Sequence, residues 1–416
     1  MLTSQDVRSA IHWSAEGRWV SVPIMTSHRG LACLVRVGVM CASVVGLSAV
    51  VIPSASATGS ARIAPHPSAS QQFSWKLVDT GTQTHFRALA VVSRKVTWLG
   101  GYNGVVLRTV DGGQSWIDAS PAGASALQFR DIAAFSATRA VAMAAGTGTN
   151  SRLYVTDDGG RTWSLAYENT NPQAFFDCMA FFNPRQGLVL SDPVDGKFRI
   201  LSTRDGGRSW TVLPNAGMPA ALPGEAGFAA SGECLTTAGH EAWFGSGGST
   251  AARVFTSRDG GYTWQVATTP IVTGPTAGVF ALAFRTPAAG VAVGGDFTAP
   301  AAAADVAAVS FLGGPWRSSP SGPAGYRSGV TWVPRTPATV IAVGLTGSDV
   351  SYDGGLRWHT FDTGQFDTVS CASDGSCWAS GDLGRVAILQ NQGPGRDTTA
   401  VRGKDLDLTN GRWFHP

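Results

Sequence analysis

The chain has 416 residues, of which 14% are charged and 44% hydrophobic, with 14 Trp. So little charge beside so many aromatics excludes a disordered chain. The formal net charge is +3, and Arg8, Arg18, Arg29 and Arg36 outnumber Asp6 and Glu16 before residue 58, so the remainder is close to neutral; no basic run appears, which argues against a nucleic-acid partner.

Residues 37–52 (VGVMCASVVGLSAVVI) are uncharged and mostly apolar, follow Arg29 and Arg36, and precede Ala55-Ser56-Ala57. That is the layout of a secretory signal cleaved near Ala57, and Met25 supplies a start with a normal basic n-region. The run is shorter than the ~20 residues that span a bilayer. Residues 1–57 are therefore read as a removed signal that leaves no membrane span, the rival being an uncleaved membrane anchor, and the protein as secreted or cell-envelope. Residues 58–72 are Ser/Ala/Pro-rich and read as a flexible lead-in.

Export leaves Cys178, Cys234, Cys371 and Cys377, an even number for an oxidising compartment. Cys371 and Cys377 flank the turn-rich ASDGS and suit a hairpin staple; Cys178–Cys234 is then the remaining pair, the alternative being four buried thiols. No C-x-x-C occurs and the histidines are scattered, so neither metal nor cofactor is expected.

From residue 73 one motif organises the chain: TVDGGQSW (109–116), TDDGGRTW (156–163), TRDGGRSW (203–210), SRDGGYTW (257–264) and SYDGGLRW (351–358). Its aspartates, Asp111, Asp158, Asp205, Asp259 and Asp353, are spaced 47, 47, 54 and 94 residues apart. The last gap holds a decayed copy, FLGGPW at 311–316. A second series agrees: Phe86, Phe129, Phe176, Phe228, Phe280, Tyr326 and Phe366 each open an apolar stretch. Short strands joined by Gly/Asp turns, four to a unit and seven units, predict an all-β, seven-bladed β-propeller over residues 73–390. Unit seven lacks a fourth strand, and FSWKLVDT (73–80) can supply it, closing the ring and removing an open edge. Residues 391–416 read as a tail, and a monomer is expected.

The box residues suit a tight turn. Asp accepts backbone N–H bonds, Gly supplies φ > 0, and Trp116, Trp163, Trp210, Trp264 and Trp358 can pack between blades. Acids repeated in every blade cannot share one reaction centre, so they are read as structural. This is the Asp-box (BNR) repeat. QFRDIAAF (128–135) and GVVLRTVDGGQSW (104–116) resemble the photosystem II stability/assembly-factor-like propellers. AFFDCMAFF (174–182), SDPVDGKF (191–198), LPGEAGFAASGECL (222–235), GYRSGV (325–330) and TGSDVS (346–351) resemble a bacterial branch of them. The resemblance implies a propeller that works by binding and assembly rather than by chemistry.

Propeller ligands sit where first strands start and second-to-third-strand turns close over the channel. The residues following the opening aromatics include Arg87, Arg130, Asp177, Arg327 and Asp367. They read either as interblade ion pairs or as an anion or carboxylate site, since Arg forks suit carboxylates. Asp192, Asp296 and Asp382 lie in the second-to-third-strand turns. The alternative is a carbohydrate-active, sialidase-like hydrolase, which needs two facing carboxylates; Glu225 and Glu233 are the best pair. The expected function is an exported binding or assembly-assisting module for a protein partner or a small anionic or carbohydrate ligand, with no catalysis.

Overall fold

The computed structural model describes residues 72–392; the expected signal, the expected lead-in through residue 71 and the expected tail beyond residue 392 fall outside the described residues. Apolar runs without alternation mark the inner strands. In blade two, Ala140–Ala144 (AVAMA) is buried at every position, whereas the rim strand Ser164–Glu168 (SLAYE) is largely exposed. A strand covered on both faces reads as a continuous apolar run, and here the covering layers are the neighbouring blades. The result is seven four-stranded antiparallel blades in a ring, a seven-bladed β-propeller. Blade seven takes Thr368–Cys371, Cys377–Ser380, Val386–Gln392 and, at its rim, Gln72–Val78. That last pairing runs in unbroken register from Gln72↔Gln392 to Val78↔Val386. The first and last described strands therefore close the ring as the sequence predicts.

The box turns are built from their own side chains. In blade three Asp205 Oδ1 accepts the amides of Arg208 and Ser209 (both 3.0 Å) and the Thr203 hydroxyl (2.8 Å), while Oδ2 accepts the Ser209 hydroxyl (2.6 Å). Gly207 stands at φ 86° there, a conformation in which a side chain would be strained. The Trp closing each box packs inward. Trp210, Trp264 and Trp358 are buried and donate to the second box glycine, while Trp163 donates to Ala119 of blade one at 2.7 Å. Trp116 lies edge-on to Trp378 of blade seven, 6.2 Å between centroids.

Register fixes two faces. In blade one Phe86 pairs with Gly101 at one end, and Val91, Thr97 and Thr109 align at the other. First-strand starts and second-to-third-strand turns therefore share one face, the mouth. First-to-second-strand turns and box turns share the opposite face, where Gly206 donates to Arg185 O at 2.8 Å.

Two disulfides form, Cys178–Cys234 and Cys371–Cys377. They fit an oxidising compartment. Among the described residues no helix is long and apolar enough to cross a membrane. Blade four departs from the sequence reading. Its first strand is Leu235–Ala238 and does not begin at Phe228; the residues between have another use.

Candidate functional site: the channel mouth and its plug

Arg87, Arg130 and Asp177 share one backbone device. Pairing with the second strand skips each of them, from Phe86 to Ala88, Phe129 to Asp131 and Phe176 to Cys178. An unpaired bulge residue is re-aimed by the local kink, and three adjacent blades use it at the mouth.

Arg87 and Arg130 flank Tyr102, which comes from the second-to-third-strand turn of blade one. Their guanidinium carbons stand 5.9 and 5.7 Å from its ring centroid. Arg130 donates to Ala229 O (3.0 Å), to Gln128 Oε1 (2.8 Å) and to the Tyr102 hydroxyl (3.4 Å). Arg87 Nε lies 3.7 Å from Asp367 Oδ1 and 3.3 Å from His85 Nε2. His85 stacks on Tyr102 and sits between two carboxylates, Asp367 at 2.8 Å and Asp382 at 3.4 Å. Burial works against the charge of Asp367, but Arg87 and His85 outweigh it and hold the carboxyl below its ordinary range. Burial likewise opposes the Arg87 charge, and Tyr102 and Asp367 more than offset it. The cluster is half-open, with Arg87 23% and Asp382 42% exposed at the side chain.

The other sequence-predicted residues lie elsewhere. Arg327 is fully buried and paired with Asp349 of its own blade, Nε donating to Oδ2 at 2.6 Å. It is not brought together with Arg87 and Arg130. Asp192 is buried and accepts the Gly227 amide at 2.9 Å. Asp177 is fully buried against Gly227, where an added Cβ would sit 2.7 Å from the carboxyl carbon. Asp296 accepts Thr276 Oγ1 (2.8 Å) and both the amide and hydroxyl of Thr298 (2.9 and 2.7 Å), a local cap.

The segment 226–233 (AGFAASGE) enters the axis instead of extending blade four. Phe228 stacks on Phe280 of blade five, centroids 3.9 Å apart. Ala229 O accepts Arg130 of blade two, and Ser231 Oγ donates to Ser328 O beside blade six at 2.6 Å. Gly232 leaves room for Asp131; a Cβ there would meet its carboxyl carbon at 2.7 Å. Glu233 crosses to blades six and seven, accepting Val330 N (2.7 Å), the Thr368 hydroxyl (2.8 Å) and Val369 N (3.1 Å). One short stretch therefore touches blades two, five, six and seven and plugs the channel. Cys178–Cys234 ties its end to blade three.

Two acids lie close enough to influence each other here, Glu233 in the plug and Asp131 in the blade-two strand packed against Gly232. Asp131 accepts the Met179 amide at 2.6 Å, yet burial pushes its carboxyl up to about 8. Burial also pushes Glu233 up to about 8 against its three donors, and Asp131 adds to the rise. Glu225 is closed off differently. It is ion-paired with Arg253, whose Nε donates at 2.7 Å, and it accepts Ser246 Oγ (2.6 Å) and Leu222 N (2.7 Å). Glu225 and Glu233 thus spend their oxygens on the chain itself and do not present a facing pair to a sugar.

Sequence reasoning missed Tyr102, Asp131 and the plug. Two signals were present: an aspartate inside the apolar strand FRDIAA, and the 54-residue box spacing that contains the plug.

The BNR/Asp-box repeat model matches residues 154–165, the box of blade two. No curated protein matches the chain. Among solved structures, "YCF48 bound to D1 peptide" is similar at TM-score 0.54 and 16% identity, covering 76% of this chain and 96% of that one. YCF48 from Cyanidioschyzon merolae gives 0.53 and 16%, covering 76% and 98%. The Pan2 WD40 domain of Neurospora crassa gives 0.53 and 12%, covering 78% and 97%. These likenesses show the propeller fold.

Proposed function

We propose that the protein is an exported binding module that docks another protein at the channel mouth and assists its assembly, without chemistry of its own. The observation that carries this reading is the pair of bulged arginines, Arg87 and Arg130, on either side of Tyr102. Two guanidinium groups beside a half-open aromatic ring suit a carboxylate on a peptide chain, which Arg engages bidentately. The plug supports surface docking, because a ligand meets Phe228–Glu233 instead of passing along the axis. A solved propeller of this fold carries a D1 peptide, which makes peptide binding a sensible use of the architecture. The segments that resemble the bacterial branch of the assembly-factor-like propellers point to the same kind of work.

Affinity capture from the native envelope tests this, with wild type and an Arg87→Ala/Arg130→Ala variant in parallel. Capture of one partner by wild type and its loss, by tenfold or more, in the variant is the expected result. Equal capture by both would move function off the mouth. The mass of the envelope-borne protein checks export, with a chain starting at residue 58 expected.

A further inference from the structure

The near-neutral total conceals a segregation of charge between the two faces. On the mouth face the exposed ionised groups include Asp79, Asp118, Glu168, Asp195 and Asp305. On the box face they are mainly cations: Arg94, Arg161, Arg185, Arg204, Arg258 and Arg335 are exposed there, drawn from blades one to four and six. A basic surface thus exists, assembled from turns about 50 residues apart, and no run of sequence displays it. The acids of this face, the anionic box aspartates among them, offset it only in part. Box aspartates spend their oxygens inside their turns, Asp157 is shared between Arg139 and Arg208, and Glu241 lies 3.4 Å from Arg258. Arg185 makes no side-chain hydrogen bond or ion pair among the described residues, and with Arg139, Arg208, Pro184 and Asp205 it lines an open cavity of about 450 Å³.

The same face carries apolar tips. Leu312 is 90% exposed, with Phe311 beside it, in the blade-five turn that lost its Asp. Tyr262 and Tyr352 project from the box turns of blades four and six, and Val110 from that of blade one. Arginines interspersed with exposed aromatic and aliphatic side chains match the bilayer interface, where cations meet lipid phosphates and aromatic rings settle at headgroup depth. A hydrated polyanion would use the arginines and gain nothing from Leu312.

We propose that the box face docks on an anionic lipid bilayer as a peripheral surface, leaving the mouth pointed away from the membrane. The test is flotation of the full chain with vesicles of phosphatidylcholine alone or with phosphatidylglycerol added. Arg29, Arg36 and the apolar run 37–52 bind anionic vesicles in their own right, so the box face is read as the difference between wild type and its charge variant. Wild type is expected to float preferentially with the anionic vesicles and to be released by salt. Removing charges with Arg161→Gln/Arg204→Gln/Arg258→Gln should cut that preferential partition by well over tenfold, at about fivefold per charge. Leu312→Ser, at a fully accessible tip, should weaken it several-fold with an unchanged thermal melt. Equal flotation on both vesicles, or a charge variant that behaves as wild type, overturns the proposal. So does a Leu312→Ser variant without effect in a protein that binds soluble polyphosphate as well as it binds vesicles, because the face would then be a polyanion site.

Discussion

A box turn and the axial plug place the same functional group in opposite surroundings. The carboxyl of Asp205 accepts four donors near the surface, and that of Glu233 accepts three in the axis. Burial opposes ionisation in both, yet at Asp205 the Ser209, Thr203 and Arg208 donors prevail and the pKa falls to about 2. At Glu233 burial prevails, the pKa rises to about 8, and Asp131 is its acidic neighbour. The difference teaches that counting hydrogen bonds does not reveal a carboxyl's charge state; what lies behind the bonds, water or apolar strands, decides it. The box acids hold local turns as anions, while the axial pair holds distant blades together and favours a proton.

Covalent anchoring should separate the plug from a local hairpin turn most sharply. Cys178–Cys234 closes 56 residues around the plug, whereas Cys371–Cys377 closes six within one hairpin. Loop entropy gives about 4 kcal/mol for the first and about 2 kcal/mol for the second. Urea unfolding of Cys178→Ser/Cys234→Ser and Cys371→Ser/Cys377→Ser should show that order. Equal losses would mean that the longer loop around the plug adds nothing beyond what a local staple supplies.

Next in size is Glu233 itself. Glu233→Ala strands two amides and a hydroxyl of blades six and seven in the ring interior, at about 2–3 kcal/mol. Its pH signature has a definite sign. With a folded pKa of about 8 against an ordinary 4.5, the folded state holds a proton that the unfolded chain has released between those values. Stability therefore falls as pH rises from about 4.5 to 8 and levels off above. Asp111, Asp158 and Asp205, held at about 2 by their turns, act the other way, and their contribution is lost as pH falls from about 4 to 2. Urea midpoints across this range should peak in mildly acidic buffer. Glu233→Gln, which keeps an acceptor without the titration, should remove Glu233's share of the decline toward pH 8 and leave the share of Asp131. An unchanged decline in that variant would assign it to other groups.

The ring was legible because its signals repeat. Box aspartates and opening aromatics recur at nearly fixed spacing, and FSWKLVDT had one available edge to pair with. What depends on three-dimensional convergence was not legible. Phe228 falls in the aromatic series, so its segment reads as a strand start; only the ring shows that Ala- and Gly-rich residues slip into the axis at that point. Arg327 follows its aromatic as Arg87 and Arg130 do, but blade six begins its first strand later, at Gly329, with no bulge. Its guanidinium therefore turns to Asp349. The basic face escaped notice because alternate turns project to opposite sides, which a composition total averages away.

The smallest expected effect lies in the boxes, and blade five already bears on it. Its turn has no aspartate, yet Ala307–Phe311 still pairs with Arg317–Ser318, and Ser310 Oγ donates to Gly314 O at 2.7 Å. A box aspartate is thus a reinforcement that a hairpin flanked by packed blades can lack. Asp205→Ala should cost ~1 kcal/mol, the size of a lost side-chain cap, and leave the plug's pH signature intact, because Gly207 and Trp210 keep their own contacts. Asp205→Asn should cost less, since the amide oxygen can still accept from Arg208 and Ser209. A loss as large as that of Glu233→Ala would mean that the turns, and not the axis, set the stability of the ring, and the contrast between the two kinds of acid would have to be redrawn.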